Sequence, residues 1–273
     1  MSAIQQWKAM IEAEHAQSER MRASLPPRDH WQDYAHMFRV DPYRSNDTLL
    51  DRLRQEVAHR HTVIDVGAGG GRLALPLALQ CRQVLAVEPS PSMAAVLLQQ
   101  AAEYGINNIS LVQAPWGDVE VAPGDIALCV HVLYTIQDIG PFLRKLENHA
   151  RQKVLIVLYQ TAPQSQIYPL WKEVHEEERR PLPALPQLKK VLEELGIDAQ
   201  IEMLPPPPSR GFDSLEQATE ELSRRLYLAP GSAKKGKLIE ILPEKLEQVE
   251  GIFRIRDAQP MEPALVWWRS EVE

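Results

Sequence analysis

Residues 62–72, Thr-Val-Ile-Asp-Val-Gly-Ala-Gly-Gly-Gly-Arg, constrain the fold more than any other stretch of this chain. Thr62 to Val66 is a short β-branched apolar run, the pattern of a strand buried on both faces of a parallel sheet. It runs directly into glycines at 67, 69, 70 and 71, and Leu73 to Leu79 then begins an apolar segment that can pack as a helix. Strand, glycine turn and helix in that order are the layout of a nucleotide-binding βα unit. Without a Cβ the turn can be tight, and its backbone can come close to a ligand.

The glycine spacing narrows the choice of nucleotide. A dinucleotide fingerprint, Gly-x-Gly-x-x-Gly, needs its third glycine at 72, where Arg72 stands. An NAD(P)-dependent oxidoreductase is therefore the weaker alternative. The chain instead reads Asp65-x-Gly67-x-Gly69-x-Gly71, and the next strand, Gln83 to Val87, ends in Glu88. A carboxylate at that point can accept hydrogen bonds from both hydroxyls of a ribose. Together these features resemble motif I and the acidic strand end of the class I S-adenosylmethionine (SAM) methyltransferases. The resemblance covers roughly residues 48–204 and 262–270.

The resemblance implies an α/β fold, a doubly wound Rossmann-like sheet of seven strands. The last strand is expected antiparallel between the fifth and sixth, and 264–268 is the segment assigned to it. It also implies SAM as cofactor. Glu88-Pro-Ser-Pro-Ser-Met93 resembles the family's acidic-x-Ser-x-x-Met stretch, so Glu88 would hold the ribose, with Pro89 in the same turn and Met93 against the adenine. Asp65, Gly67, Ala68, Gly69 and Gly71 would flank the methionine half. His131-Val-Leu-Tyr134-Thr-Ile-Gln-Asp138 resembles the motif near the transferable methyl.

Two stretches depart from the family. Many members carry Gly-Asp-Ala after the third strand, and the Asp bonds the adenine amine. Here the stretch is Gln113-Ala-Pro-Trp-Gly-Asp118. Ala114 sits at the cofactor's edge and cannot make that bond. Either Trp116 stacks on the adenine, or Asp118 reaches it, or Trp116 is a core residue. Before the fifth strand Arg151-Gln-Lys replaces the common Pro-Gly-Gly, away from the chemistry.

Apolar periodicity predicts strands at 62–66, 83–87, 109–112, 125–131, 153–158 and 198–204. Helices are expected at 71–79, 92–103, 141–149, 165–178 and 186–195. Alternation of this kind implies right-handed crossovers, with the ligand beyond the strands' carboxyl ends. Around the SAM-binding core, 46–204, lie three further segments. Residues 1–45 pair an amphipathic helix over 2–24 with the aromatics Trp31, Tyr34, Phe38 and Tyr43, either a lid or a packed helix. Residues 205–261 open on four prolines, Pro205 to Pro208, and read as a helical cap, with helices over 213–228 and 236–248 and a strand over 252–256. Residues 262–273 hold the last strand.

Net charge is −7, which gives no broad attraction to a phosphate backbone. The basic pairs Arg179-Arg180, Arg224-Arg225 and Lys234-Lys235 read as solvated helix faces. The expected partner is a small-molecule methyl acceptor rather than nucleic acid or a membrane. Two cysteines without metal-ligand spacing give neither a disulfide framework nor a metal site. With no apolar leader and no apolar run of about 20 residues, the expected location is cytoplasmic.

Methyl transfer from a sulfonium is an in-line displacement whose leaving group is a neutral thioether. The protein's share is position and, for some acceptors, a base. His131 and Tyr134 are the candidate catalytic residues. His131 either titrates near neutrality as a base or hydrogen-bonds the cofactor's methionine end. Tyr134 either orients the acceptor or packs. A SAM-binding regulator without transfer activity would carry the same binding residues.

Overall fold

The computed structural model describes residues 1–22, 35–208 and 211–270. Along the chain run α1 (Ala3–Arg22), α2 (Thr48–Arg54), β1 (Thr62–Val66), α3 (Ala74–Ala78), β2 (Gln83–Val87), α4 (Pro91–Glu103), β3 (Ile109–Val112) and β4 (Gly124–Val130). There follow α5 (Ile139–His149), β5 (Ala150–Tyr159), α6 (Tyr168–His175), α7 (Leu185–Glu194) and β6 (Gln200–Met203). Last come α8 (Leu215–Arg225), α9 (Ala233–Lys245), β7 (Leu246–Val249), β8 (Ile252–Ile255) and β9 (Pro263–Arg269).

Seven strands form one sheet in the order β3-β2-β1-β4-β5-β9-β6. β1 pairs in parallel with β2 on one side and β4 on the other, and β9 is antiparallel to both β5 and β6. This is the expected doubly wound sheet, with its last strand inserted antiparallel. Strand order reverses between β1 and β4, because the chain winds first toward β3 and then toward β5. A crevice opens beyond the carboxyl ends at such a point. β6 forms one edge of the sheet and exposes Ile201 and Met203.

Apolar side chains cover both faces. On one, Trp7 and Ile11 of α1 join Leu143 and Leu146 of α5 and Leu188 of α7. On the other, Leu50 and Leu53 of α2 join Leu75 and Leu77 of α3 and Leu97 of α4. A third cluster stands apart from the sheet. It joins Leu170, Trp171 and Val174 of α6 to Leu222 of α8, Leu238 and Leu242 of α9, and Leu246 and Ile255 of the β7–β8 hairpin.

Several element bounds differ from the sequence reading, and three of the differences have a clear local cause. Gly71 has φ +89° and its N–H bonds Ala68 O at 3.0 Å, so the turn extends through 71 and α3 is confined to 74–78. The single helix expected over 165–178 is a 3-10 turn, Pro163–Ile167, followed by α6, whose second residue, Pro169, has no N–H to continue a preceding helix. The helix expected over 236–248 stops at Lys245. Leu246–Val249 is instead β7, paired with Ile252–Ile255 across Glu250 and Gly251, both at positive φ. Two successive left-handed residues are what a tight hairpin requires.

Candidate active site

The glycine turn after β1 folds over the end of β2. The N–H groups of Gly67 and Ala68 both point to Val87 O, at 2.7 and 3.2 Å. Gly67 has φ +76°, and a Cβ there would collide with the Val132 side chain, which ties the turn to the loop after β4. Gly69 has φ +55°, and among the described residues nothing lies within 4 Å of where a Cβ would stand. Its N–H donates to Glu88 Oε2 at 2.8 Å.

Glu88 is only 5% exposed, and its Oε1 accepts the Ser90 N–H at 2.8 Å. Its own N–H bonds Val112 O, as does that of Ala114, so the loop after β3 lies beside the loop after β2. Ser90 caps α4 by accepting the Met93 N–H at 3.3 Å, and Met93 is buried. Pro89 is exposed beside them. Asp65, on β1, is 2% exposed and its Oδ2 has no protein partner. Burial, reinforced by the nearby Glu88 charge, pushes its carboxyl up to about 7.

Beyond β4 the chain enters a left-handed conformation at His131, φ +59°. The His131 N–H bonds Val157 O at 2.8 Å. Its ring stacks on Tyr159, at the end of β5, with centroids 4.3 Å apart and planes 9° apart. The Tyr134 hydroxyl accepts the Tyr159 N–H at 2.7 Å and stands 3.4 Å from His131 Nδ1. With its oxygen accepting from Tyr159, the hydroxyl proton is the one available to Nδ1. Burial, together with the Arg72 charge, pushes the His131 imidazole down to about 3. Of the two roles open to His131, the lowered imidazole and the stacking on Tyr159 favour the hydrogen-bonding one over that of a base. Burial raises the Tyr134 phenol as well, so it stays protonated.

Trp116 is 4% exposed and packs against α5, edge-on to His149 at 5.1 Å and with Lys145 Nζ 5.1 Å from its ring centre. These contacts make it part of the core on the α5 face. Asp65, Gly67, Ala68, Gly69, Gly71, Glu88, Pro89, Met93, Ala114, His131 and Tyr134 lie on the turns at the carboxyl ends of β1 to β4 or on the residues flanking them.

The N-terminal region contributes two pieces. Residues 35–47 lie on the glycine turn, where Arg44 donates to Arg72 O at 2.8 Å and shares Asp47 with the Arg72 guanidinium. α1 braces the loop after β4, through Trp7 Nε1 to Ile136 O at 2.8 Å. Trp31 and Tyr34 of the expected aromatic lid lie outside the described residues; Tyr43 is exposed, edge-on to Tyr104 at 6.2 Å. Arg179 is no solvated helix face. It is 7% exposed, ion-paired with Glu14, bonded to Gln17 and stacked on Trp171 at 4.1 Å.

Residues 64–158 match the methyltransferase domain family. Over these residues the chain carries a methyltransferase domain. That match runs from β1 through the glycine turn, Glu88 and His131 to the end of β5, so it takes in the whole switch-point crevice. S-adenosylmethionine is the cofactor of this domain. Among curated proteins, a probable ribosomal RNA small subunit methyltransferase A from Methanosphaera stadtmanae is 27% identical over 82 residues, 28% of this chain and 30% of that protein. A ubiquinone biosynthesis O-methyltransferase from Rickettsia prowazekii is 29% identical over 120 residues, 44% of each chain. The chain thus spans less than half the length of the curated relatives it matches. The fold is shared with the YcgJ protein of Bacillus subtilis, with a TM-score of 0.53, 18% identity, and 82% of this chain and 98% of that one covered.

The methyltransferase crevice offers what the cofactor needs. The unpartnered Asp65 oxygen suits an ammonium, since a buried carboxylate oxygen without a partner is costly. The space over Gly69 admits a ligand against the backbone. Glu88 holds a buried carboxylate beside the turn, an acceptor type suited to hydroxyls. Sequence reasoning missed Tyr159, which reads only as the end of a strand, and Gln100, discussed below. The oxidoreductase alternative has no support in any of these findings.

Proposed function

We propose that this chain transfers the methyl group of S-adenosylmethionine to a small-molecule acceptor. One observation carries the reading: Glu88, at the end of β2, is locked between the Gly69 and Ser90 N–H groups, so that its carboxylate is fixed between the glycine turn and the start of α4. In this reading Glu88 takes the ribose hydroxyls, Asp65 faces the ammonium, Gly67 to Gly71 line the methionine half, and Met93 and Ala114 border the adenine. The cofactor, when bound, supplies an electrophilic methyl on a sulfonium.

The chain's own contribution is placement. His131, neutral and held at Nδ1 by Tyr134, presents a fixed edge beside the methyl rather than a base. Tyr134 braces the ends of β4 and β5 against each other. An acceptor that needs no proton removed before attack suits such a site, because orientation alone then lowers the barrier.

Two features support a small acceptor. The net charge is −7, and of the basic residues that could have formed a nucleic-acid edge Arg179 is buried while Lys234 and Lys235 are engaged by neighbouring side chains. Arg179 pairs with Glu14, Lys235 with Glu220 at 2.7 Å, and Lys234 stands 3.1 Å from His175 Nδ1. α1 and residues 35–45, with α6, α8 and α9, would wall the acceptor side. The test is methyl-labelled SAM incubated with fractionated cell extract. Label is expected in the small-molecule pool; label in RNA, DNA or protein overturns the acceptor class.

A further inference from the structure

We propose that Gln100 is a positioning residue that couples the segment 35–47 to the cofactor turn, so that the two close on the cofactor as one unit. The inference rests on the SAM-binding reading above. Gln100 lies on α4, one turn beyond Val96 and two beyond Met93, on the helix's inward face, and is 1% exposed. Burying a carboxamide is unfavourable unless both its ends are bonded. Here they are, and to two different segments. Nε2–H donates to Gly70 O at 2.8 Å, and Oε1 accepts the Val40 N–H at 2.7 Å.

The first bond sets the cofactor turn. The Gly70 carbonyl and the Gly71 N–H share one peptide plane, and that N–H closes the turn on Ala68 O at 3.0 Å. Fixing the carbonyl therefore fixes the plane on which the turn closes. The second bond sets the N-terminal segment. Its backbone rests on the turn: a Cβ at Gly70 would lie 3.0 Å from Phe38 Cβ and 3.2 Å from Phe38 O. Neighbouring ties, Arg39 to Glu103 and Tyr43 to Tyr104, are solvent-exposed, and exposed pairs contribute little. Among the described residues Gln100 is the buried side chain that bonds both pieces. Coupling of this kind is reciprocal, so a ligand that orders the turn also orders the segment.

The test uses the full chain, S-adenosylhomocysteine (SAH) calorimetry and hydrogen exchange at Val40. Gln100→Leu keeps the volume and removes both bonds. SAH is expected to bind about tenfold more weakly, Val40 exchange to accelerate, and SAH no longer to slow it. Gly70→Ala leaves the amide intact and pushes Phe38 away; it serves if Gln100→Leu does not fold, and should also accelerate Val40 exchange. A Gln100→Leu protein that melts lower but binds SAH as the wild type does makes Gln100 merely structural and overturns the proposal. So does Val40 protection that survives either substitution. If the wild type itself binds no SAH, the cofactor reading fails, and Val40 exchange without ligand still judges the clamp.

Discussion

Glu88 and Gly69 are joined by a 2.8 Å hydrogen bond from backbone to carboxylate, so the residue proposed to hold the ribose also holds the turn proposed to cradle the methionine half. Glu88→Ala should weaken SAH binding by on the order of 2–4 kcal/mol. Glu88→Gln should fall between the two, because one of its two ends can still accept. Isothermal calorimetry of the three proteins reads this directly; equal affinities would remove Glu88 from the site.

Asp65 should make the ligand-free protein pH-sensitive. Its carboxyl rises from 3.8 to about 7 on folding, so between those values the folded chain binds a proton that the unfolded chain does not. Stability is therefore fully present at low pH and lost as pH rises through the window, by on the order of 2–4 kcal/mol. Asp65→Asn should abolish that slope while weakening SAM binding. Urea denaturation at pH 5 and pH 8 measures it. An ammonium arriving at ionised Asp65 should also release a proton at pH 6, visible as a buffer-dependent binding heat.

The His131 contribution has the opposite sign. Its imidazole falls from 6.5 to about 3 on folding, so its share of stability is present above 6.5 and is lost as pH drops toward 3. For catalysis the consequence is a flat profile. Between pH 6 and 8 kcat should show no titration from His131, and His131→Asn, which tolerates the left-handed backbone, should run parallel to the wild type. A step near pH 6.5 that disappears in the variant would restore His131 as the base.

Glu14→Gln should be among the most destabilising single changes on α1. It leaves Arg179 buried without a countercharge, a situation that costs about 3–5 kcal/mol. The midpoint of urea unfolding should shift accordingly. A change near zero would mean that water reaches Arg179 once the pair is broken.

The sheet was legible because each inner strand is a short apolar run between turn residues. β1, β2 and β3 fall where the pattern puts them, at 62–66, 83–87 and 109–112. β5 begins three residues earlier than its apolar run, because Ala150 is buried and the exposed polar Arg151 and Gln152 that follow it carry no periodic signal. β7 was hidden by its composition. Leu-Glu-Gln-Val continues a charged helical pattern, and what makes it a strand is pairing with β8; the clue was Glu250-Gly251 as a turn. In the site, Glu88 and the glycines could be read from spacing alone. Gln100 had one sequence signal, a polar residue on the same helix face as Met93 and Leu97. The burial of Arg179 had none, since its partner Glu14 is 165 residues away.

The place of β9 between β5 and β6 has a consequence for how the chain assembles during synthesis. β6 touches the rest of the sheet only through β9. When residues 200–203 leave the ribosome, their pairing partner has not yet been translated, and the whole segment that carries α8, α9 and the hairpin must be made first. In that interval β5 and β6 both present open edges, the kind of surface on which nascent chains aggregate. Pro205 to Pro208 follow β6 after Leu204, and four residues without N–H donors keep that edge from lengthening before β9 arrives to close it.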